Sequence, residues 1–368
     1  MLNSEILFNG YYGQKNTGDD AFVEVTAWAA NTIWRKKKIK YLAIKENLPQ
    51  TIHKINGYPF TIPKSYRLQQ KVLIHQTKAF ISAGGSTFHS ELKSTNPKYI
   101  ALQKKLKDNN FKIGAVGVSI GPFKSNAAEK SIGEYLKKLD FLTLRDKRSY
   151  EYVKSLNLPY NPVESFDMAA LLPDIYGIEK YNNDTKTIGI SLCYSERFTK
   201  GDIQKEINRN RRLSELIQQL DKNDRLHFKF IVINGNQRNG DRELTLKTIQ
   251  EAKLKNTFEV VEYNSETKVM WQSIASCDFM LSTRLHGAIF ACFAQTPFML
   301  VEYHKKCSDF LEDVGYTENL RVFDMETDIE KTSNQILTIM NKPTIYQVPL
   351  FIEEMKNKAL LNFNTINL

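Results

Sequence analysis

The stretch Cys277-Asp-Phe-Met-Leu-Ser-Thr-Arg-Leu-His-Gly-Ala-Ile-Phe-Ala-Cys-Phe-Ala-Gln-Thr-Pro297 joins a short apolar run to a longer one through a polar turn. The first run, residues 279–281, is typical of a buried β-strand. The second run, residues 288–294, predicts a buried helix that ends before the proline. The chain therefore passes here from a strand, through residues 282–287, into the N-terminus of a helix.

The turn contains two side chains that can carry charge, Arg284 and His286. In open α/β sheets ligands bind where strands end, and free N–H groups at a helix N-terminus favour anions. The turn therefore indicates an anion-binding site. The alternative is that His286 caps its helix and Arg284 pairs with a surface carboxylate, because helix ends attract such residues in any case.

Length and composition are typical of a globular protein with two domains. The chain has 368 residues, 42% of them hydrophobic, and no apolar run approaches the ~20 residues of a membrane span. The N-terminus lacks the pattern of a signal peptide. The four cysteines have no paired spacing for zinc or a redox dithiol. We therefore expect a reduced, cytoplasmic protein that binds no metal.

The net charge of +10 permits three kinds of partner: nucleic acid, an anionic membrane face or an anionic small substrate. No helix-turn-helix, zinc-finger or RNA-binding signature accompanies the basic residues, so nucleic acid is disfavoured. Local basic clusters such as Arg209-Asn-Arg-Arg212 are interpreted as solvated faces.

Strand and helix patterns alternate along the chain, which predicts parallel sheets covered by helices. We expect two Rossmann-like lobes facing a central cleft, with the N-terminal lobe at 1–178 and the C-terminal lobe at 179–345. A polar linker lies between Pro173 and Lys186. The amphipathic segment 346–368 is predicted to form a helix that packs back on the first lobe.

The loops after several predicted strands carry an ordered set of motifs: Asn16-x-Gly18-Asp19, Ala83-Gly-Gly-Ser86, Gly117-x-x-Ile-Gly-Pro122, Arg145-Asp-x-x-Ser149, Asp167, Ser282-x-Arg284-Leu-His-Gly287 and Tyr303-x-x-Lys306. This ordered set resembles the strand-end loops of the polysaccharide pyruvyl transferases. The resemblance covers nearly the whole chain. It implies a GT-B-like fold and transfer of pyruvate from phosphoenolpyruvate (PEP) onto two sugar hydroxyls, forming a cyclic ketal. The sugar would belong to a surface polysaccharide or its lipid-linked precursor.

The resemblance implies a donor site in the second lobe, with PEP as the co-substrate and no further cofactor. A guanidinium can hold either the carboxylate or the phosphate of PEP bidentately. His286 is the expected acid that protonates the PEP methylene carbon, because its unperturbed pKa lies near working pH. Alternatively, His286 only hydrogen-bonds the phosphate. The expected donor-binding residues are Arg197, Arg284, Leu285, His286, Gly287, Tyr303 and Lys306.

The first lobe would bind the acceptor, a sugar or lipid-linked oligosaccharide, which places the reaction in the cytoplasm or at the inner membrane face. Asp19 or Asp20 would accept a hydroxyl proton or orient the sugar. Alternatively, both residues only cap the helix predicted from Ala21. We assign Asp19 to the catalytic set with Arg284 and His286. The expected acceptor-binding residues are Tyr11, Asn16, Gly18, Asp19, Asp20, Gly84, Gly85, Ser86 and His89.

The chain departs from the family pattern at several positions. Residues 89–90 read His-Ser where a polar residue followed by Asp is expected, and Cys193 stands where members carry an arginine. Arg197 is the nearest replacement for that arginine. Arg145 and Asp146 are interpreted as an internal ion pair.

Two alternative functions remain at the level of the sequence. A nucleotide-sugar glycosyltransferase on the same fold would need a carboxylate for the ribose, and Glu302 could serve. A non-catalytic glycan-binding protein of the same pathway is the second alternative. It stays open because Cys193 stands where an arginine is expected. For the pyruvyl transferase, we expect Arg284→Ala to abolish turnover with little change in melting temperature, because a strand-end residue carries little core packing.

Overall fold

The computed structural model describes residues 3–179, 185–199 and 201–368. The chain divides into two units. The first contains residues 1–14, 19–175 and 353–368, and the second contains residues 15–18 and 176–352. The sequence placed the boundaries at 178 and 345 and the short segment 15–18 in the first lobe. Part of the predicted linker, residues 180–184, lies outside the described residues.

The first unit is built on a seven-stranded sheet with the order β3-β2-β1-β4-β5-β6-β7, in which all neighbours are parallel. Its strands are β1 (Ser4–Asn9), β2 (Ile39–Ile44), β3 (Asn56–Tyr58), β4 (Thr77–Ala83), β5 (Lys112–Val118), β6 (Phe141–Leu144) and β7 (Val163–Glu164). The helices are α1 (Thr17–Thr32), α2 (Tyr66–His75), α3 (Pro97–Lys105), α4 (Asn126–Leu136), α5 (Lys147–Lys154) and α6 (Leu172–Tyr176). The central strands are apolar along their length, as expected when helices cover both faces.

The second unit has a six-stranded parallel sheet with the order β10-β9-β8-β11-β12-β13. Its strands are β8 (Lys186–Ser191), β9 (Leu226–Ile231), β10 (Thr257–Val261), β11 (Phe279–Ser282), β12 (Phe298–Glu302) and β13 (Val322–Phe323). The helices are α7 (Glu196–Thr199), α8 (Ile203–Leu220), α9 (Arg242–Ala252), α10 (Thr267–Ala275), α11 (Leu285–Phe293), α12 (Lys305–Asp313) and α13 (Ile329–Asn341). The predicted α/β class with two parallel sheets is therefore confirmed.

The last helix, α14 (Ile352–Asn364), packs on the first unit. The indole Nε1 of Trp34 donates to the carbonyl of Phe363 at 3.0 Å. The buried Asn362 amide donates to the carbonyl of Phe166 at 2.9 Å and accepts from the Ser165 hydroxyl at 2.8 Å. These contacts join the C-terminal helix to the segment after α1 and to the segment after β7.

Each sheet reverses its strand order beside its first strand. In the first unit the chain runs from β1 outward to β3 and returns with β4 on the other side of β1, and β8 to β11 repeat this path in the second unit. The carboxyl ends of β1 and β4, and those of β8 and β11, are therefore topological switch points, where ligands bind in open α/β sheets.

Several elements differ from the sequence prediction. Helix α1 begins at Thr17 rather than at Ala21, so Asp19 and Asp20 belong to its first turn. Helix α8 begins at Ile203 rather than at Leu213, where its apolar pattern predicts the start, because the side chain of Asp202 accepts from two N–H groups of its first turn. The prediction missed β3, α2, β7, β13 and α13, which are short strands or helices with many polar residues. Within the described ranges, no helix is long and apolar enough to cross a membrane.

Candidate functional site

Arg284 lies directly after β11, at the N-cap of α11 and at the switch point of the second unit. Its Nε lies 2.9 and 3.0 Å from the two carboxylate oxygens of Asp241, and Nη2 also donates to Oδ1. The Asp241 side chain is fully buried, whereas 22% of the Arg284 side chain is exposed. The partner of Arg284 is therefore a buried carboxylate rather than the surface carboxylate of the alternative prediction.

The two partners of this pair influence each other's ionisation. Burial raises the pKa of the Asp241 carboxyl, although the Arg284 guanidinium opposes this shift. Burial by itself lowers the pKa of Arg284, but Cys193 and Asp241 raise it above the ordinary value. Arg284 is therefore a cation at any working pH. Asp241 engages Nε and Nη2 and does not engage Nη1.

Asp241 is itself held by the loop between β9 and α9. The backbone N–H of Asn234 donates to Asp241 Oδ2 at 2.9 Å, and the N–H of Asp241 donates to the carbonyl of Asn234 at 2.8 Å. The Asn234 side chain donates to the carbonyl of Asn239 at 2.9 Å. Sequence reasoning missed Asp241, because it lies 43 positions from Arg284 and only folding brings them together.

Residues 15–18 lie along the same end of the second sheet. Asn16 forms an antiparallel bridge with Asn234, the N–H of Thr17 donates to the carbonyl of Ile233 at 3.0 Å, and the N–H of Gly235 donates to the carbonyl of Lys15 at 2.8 Å. The structure thus places Asn16 and Gly18 in the second unit, whereas the sequence placed them in the first lobe.

His286 lies in the first turn of α11 and packs against Gly18. A Cβ atom added to Gly18 would lie 2.2 Å from Nδ1 of His286, so only glycine leaves room for the ring in its present position. His286 and Arg284 lie two residues apart at the same helix N-terminus. The structure therefore brings together three of the predicted residues, Arg284, His286 and Gly18, at the N-terminus of α11.

Cys193 is buried at the carboxyl end of β8. Its thiol accepts from the Thr283 hydroxyl at 3.5 Å and donates to the Tyr303 hydroxyl at 3.6 Å. Burial raises the pKa of Tyr303 well above its ordinary value, with the neighbouring cysteines adding to the shift. Cys193 thus lies between Thr283, which follows β11, and Tyr303, which follows β12.

Arg209 of α8 supplies a buried cation beneath Tyr303, which sequence reasoning missed. Its guanidinium lies 4.7 Å from the Tyr303 ring centroid, donates to Glu196 and lies 2.6 Å from Asp324. The Arg209 side chain is 1% exposed, so its interpretation as part of a solvated face was wrong. The basic cluster was the only signal, and it does not distinguish a buried arginine from exposed ones.

Arg197 lies in α7, and Glu206 and Tyr194 hold its guanidinium. Its Nε donates to Glu206 at 2.9 Å, and the guanidinium stacks over the Tyr194 ring at 3.2 Å. It lines a cavity of about 690 Å³ with Arg238, Arg242 and Lys247, among other residues. Arg284 and His286 are not among the described residues that line this cavity.

The remaining residues of the predicted donor set lie at the N-termini of two helices. Leu285 begins α11, and Gly287 follows in the same turn, where an added Cβ would lie 2.5 Å from the Ser282 hydroxyl. Lys306 lies in the first turn of α12, and its N–H donates to the His304 ring at 3.1 Å.

Glu302, which the glycosyltransferase alternative required for a ribose, is occupied. Its side chain is fully buried and accepts from Nε of Arg321 at 2.9 Å and from Nη2 of the same residue. A carboxylate held in this way is not available to a sugar hydroxyl without breaking a buried ion pair.

The switch point of the first unit contains glycines and an acidic residue. Gly84 and Gly85 follow β4 with φ of +70° and +71°, a conformation that favours glycine. A Cβ on Gly84 would lie 2.4 Å from the Phe22 ring, so Gly84 is required for packing against α1. A Cβ on Gly85 would lie 3.7 Å from Asp19 Oδ1. Asp20 is buried, whereas Asp19 is partly exposed.

The other predicted acceptor residues lie around this switch point or flank it in sequence. Ser86 directly follows Gly85. His89 Nδ1 shares a hydrogen bond of 2.6 Å with the Ser90 hydroxyl. Tyr11 is 51% exposed. Among these side chains, Tyr11 therefore presents the largest exposed aromatic surface.

Arg145 forms an internal pair, but with a different partner from the one predicted. Its Nη1 lies 2.8 Å from Asp167 Oδ2, and its Nε donates to the Ser119 hydroxyl at 2.9 Å. Asp146 instead caps α5 by accepting from the N–H of Ser149 at 2.9 Å. The predicted Arg145–Asp146 pair was wrong because Asp146 begins a helix, and its side chain satisfies that helix.

The four cysteines are all buried and free. In residues 3–179, 185–199 and 201–368, no three His, Cys, Asp or Glu side chains are grouped so as to hold a metal ion.

Solved structures with similar folds place the chain in a class. The UDP-GlcNAc 2-epimerase from Methanocaldococcus jannaschii is 12% identical, with 98% of each chain covered and a TM-score of 0.62. A putative UDP-N-acetylglucosamine 2-epimerase from Listeria monocytogenes is 8% identical over 99% of this chain and 98% of its own, with a TM-score of 0.61. The Neisseria meningitidis UDP-GlcNAc 2-epimerase bound to UDP-GlcNAc is 10% identical over 96% and 93%, with a TM-score of 0.55. The fold is therefore GT-B-like.

The family is shown by sequence. Residues 15–305 match the family model of the polysaccharide pyruvyl transferases. The chain belongs to this family, and it is a transferase that acts on a polysaccharide or sugar acceptor. A search among curated proteins finds no match.

Proposed function

We propose that this protein transfers pyruvate from PEP onto two hydroxyl groups of a sugar, forming a cyclic ketal in a surface polysaccharide or its lipid-linked precursor. The observation that carries the proposal is the Arg284 guanidinium, fixed by the buried Asp241 at the N-terminus of α11, with His286 in the first turn of the same helix. The reaction would take place in the cytoplasm, at the inner membrane face when the acceptor is lipid-linked.

The donor would bind through its two anionic groups. Because Asp241 occupies Nε and Nη2 of Arg284, an anion would accept from Nη1 and from backbone N–H groups at the start of α11. The negative charge of Asp241 cancels the positive charge of Arg284, so the role of Asp241 is to orient the guanidinium. Lys306 and the positive end of the α11 dipole would supply further attraction.

The chemistry would begin with protonation of the methylene carbon of PEP by His286. The adjacent carbon then becomes an oxocarbenium-like electrophile, and one sugar hydroxyl adds to it and loses its proton. The carbon–oxygen bond to phosphate breaks, and inorganic phosphate leaves. The second hydroxyl adds to the same carbon and loses its proton, which closes the ketal. His286 suits the first step because the contact with Gly18 fixes its ring.

The acceptor would be a neutral polyol that hydrogen-bonds to backbone and carboxylate groups. Asp19 is partly exposed beside Gly85 at the first switch point, and Ser86 follows in the same loop. Asp19 would accept a hydroxyl proton or hold the sugar by hydrogen bonds. Asp20 is buried, so its part is to complete the first turn of α1.

The experiment that tests this proposal follows phosphate release from PEP with a panel of methyl glycosides and analyses the products for a mass gain of one pyruvyl ketal. Ketal formation that His286→Gln abolishes supports the proposal. Parallel reactions contain UDP-sugars instead of PEP and follow nucleotide release. Nucleotide release without phosphate release would assign the protein to the glycosyltransferases. Glycan binding without either product would assign it a binding role.

A further inference from the structure

Three large apolar side chains of the first unit are exposed close together in the chain. Phe60 and Ile62 are each 59% exposed, and Leu68 is 66% exposed. The cations Lys64, Arg67 and Lys71 are interspersed with them and are also exposed. We call these six residues the basic–apolar surface. It comprises the loop after the edge strand β3 and the outer face of α2.

The loop that carries Phe60 and Ile62 is held in place. The N–H of Phe60 donates to the side-chain oxygen of the buried Gln69 at 3.0 Å. The amide nitrogen of Gln69 donates to the Ser65 hydroxyl at 2.6 Å, and that hydroxyl donates to the carbonyl of Ile62 at 2.7 Å. Phe60 and Ile62 therefore lie on a loop that is anchored on α2. Their apolar side chains remain exposed to water, which is unfavourable unless a partner covers them.

The charge around this surface has one sign. From residue 47 to residue 90 the sequence contains five Lys and Arg residues and no Asp or Glu. Among the described residues, Lys64, Arg67 and Lys71 form no ion pair. Arg67, Lys71 and His75 recur at helical spacing along the exposed face of α2.

We propose that the basic–apolar surface docks on an anionic phospholipid membrane. Phe60, Ile62 and Leu68 would enter the boundary between headgroups and acyl chains, while the three cations contact lipid phosphates. Pairing with a second copy of the same surface is disfavoured, because a twofold contact sets the cations of both copies against each other. This inference does not depend on the proposed transfer of pyruvate from PEP, because docking on a membrane requires no turnover.

The test is cosedimentation of the full chain with vesicles of phosphatidylcholine and phosphatidylglycerol in equal parts, and with phosphatidylcholine alone. The wild type is expected to sediment with the anionic vesicles and to be released at high salt. Each cation removed weakens partitioning by about fivefold. Lys64→Glu/Lys71→Glu and Phe60→Ser/Ile62→Ser are each expected to reduce partitioning at least tenfold.

Val348→Ser and Lys130→Glu are the matched controls, since Val348 is 54% exposed in the second unit and Lys130 is an exposed cation of α4. Both are expected to sediment like the wild type, and thermal melting checks that all variants are folded. Failure of the wild type to sediment overturns the proposal, as does retained binding by the two double variants or equal binding to neutral vesicles. Nucleic-acid binding that the same substitutions abolish, without vesicle binding, would also overturn it.

Discussion

The two switch points lie at equivalent places in two parallel sheets, yet they carry different chemistry. The switch point of the second unit contains buried charges: Arg284 with Asp241, and nearby Arg209 with Glu196. The switch point of the first unit contains two glycines in the left-handed conformation and the partly exposed Asp19.

This difference shows how one fold prepares two kinds of site. The path of the chain determines where the strand ends meet, and the loop residues determine whether that place offers cations or backbone and carboxylate groups. An arginine held by a buried carboxylate suits an anionic donor, because its remaining N–H groups are already oriented and need no reorganisation when the ligand binds. Exposed backbone and a carboxylate suit the hydroxyl groups of a sugar.

Removing the cation of the second switch point should have the largest effect. We expect Arg284→Ala to reduce PEP turnover by about 10³-fold. Because the substitution leaves the buried Asp241 uncompensated, it should also lower the free energy of unfolding by about 3–5 kcal/mol. The structure thus changes the expectation that the melting temperature would hardly move. Phosphate release and denaturant unfolding measure the two effects.

The control is Arg284→Ala/Asp241→Asn, which removes both charges. We expect the double variant to regain most of the stability and none of the activity. A single Arg284→Ala variant as stable as the wild type would show that Asp241 does not depend on this arginine.

Enlarging Gly18 tests whether the position of His286 matters for catalysis. The methyl group of Gly18→Ala would overlap the imidazole, so we expect kcat for PEP to fall about 100-fold as the ring is displaced. Gly133→Ala in α4 is the matched control, because a Cβ there meets nothing within 4 Å. It should stabilise the protein by about 0.5–1 kcal/mol and leave kcat unchanged. Equal kcat values for the two variants would argue against a catalytic His286.

A change at the first switch point should affect the acceptor alone. We expect Asp19→Asn to raise KM for the sugar about tenfold, the loss of a hydrogen bond to a charged group, with KM for PEP unchanged. The comparison is Asp146→Ala, which removes only the cap of α5 and should cost about 1 kcal/mol of stability. If Asp19→Asn lowers stability and leaves both KM values as they were, Asp19 serves only the first turn of α1.

A buried lysine gives the first unit a pH dependence that the paired arginines lack. Lys98 contacts the Thr87 carbonyl at 3.4 Å and the Phe88 ring at 4.8 Å, and burial lowers its pKa to about 8. The unfolded chain keeps this proton up to about pH 10.4. The free energy of unfolding should therefore increase as the pH rises from about 8 to about 10.4.

Lys98→Met removes this contribution without changing the catalytic groups. At pH 7 the variant should be more stable than the wild type by on the order of 3 kcal/mol. The difference should shrink as the pH approaches 10, as measured by urea unfolding at several pH values. A constant difference across that range would show that Lys98 does not titrate as a buried amine.

Much of the fold could be predicted because apolar runs and turn residues report on local structure. The stretch 277–297 predicted β11 and α11, and the structure agrees. The short strand β3 could not be found, since three residues carry no hydrophobic pattern, whereas α13 has apolar residues at helical spacing that the prediction overlooked. Burial of their apolar residues depends on neighbours that are distant in the chain.

By itself the sequence determined the alternation of strands and helices, the family, and the presence of Arg284, His286 and Gly18 in strand-end motifs. Only the tertiary structure decided their partners. The tertiary structure pairs Asp241 with Arg284, and it packs Gly18 against His286 in the second unit. The physical reason is that a strand-end motif reflects local backbone geometry, whereas an ion pair between residues far apart in sequence depends on how the whole sheet is ordered.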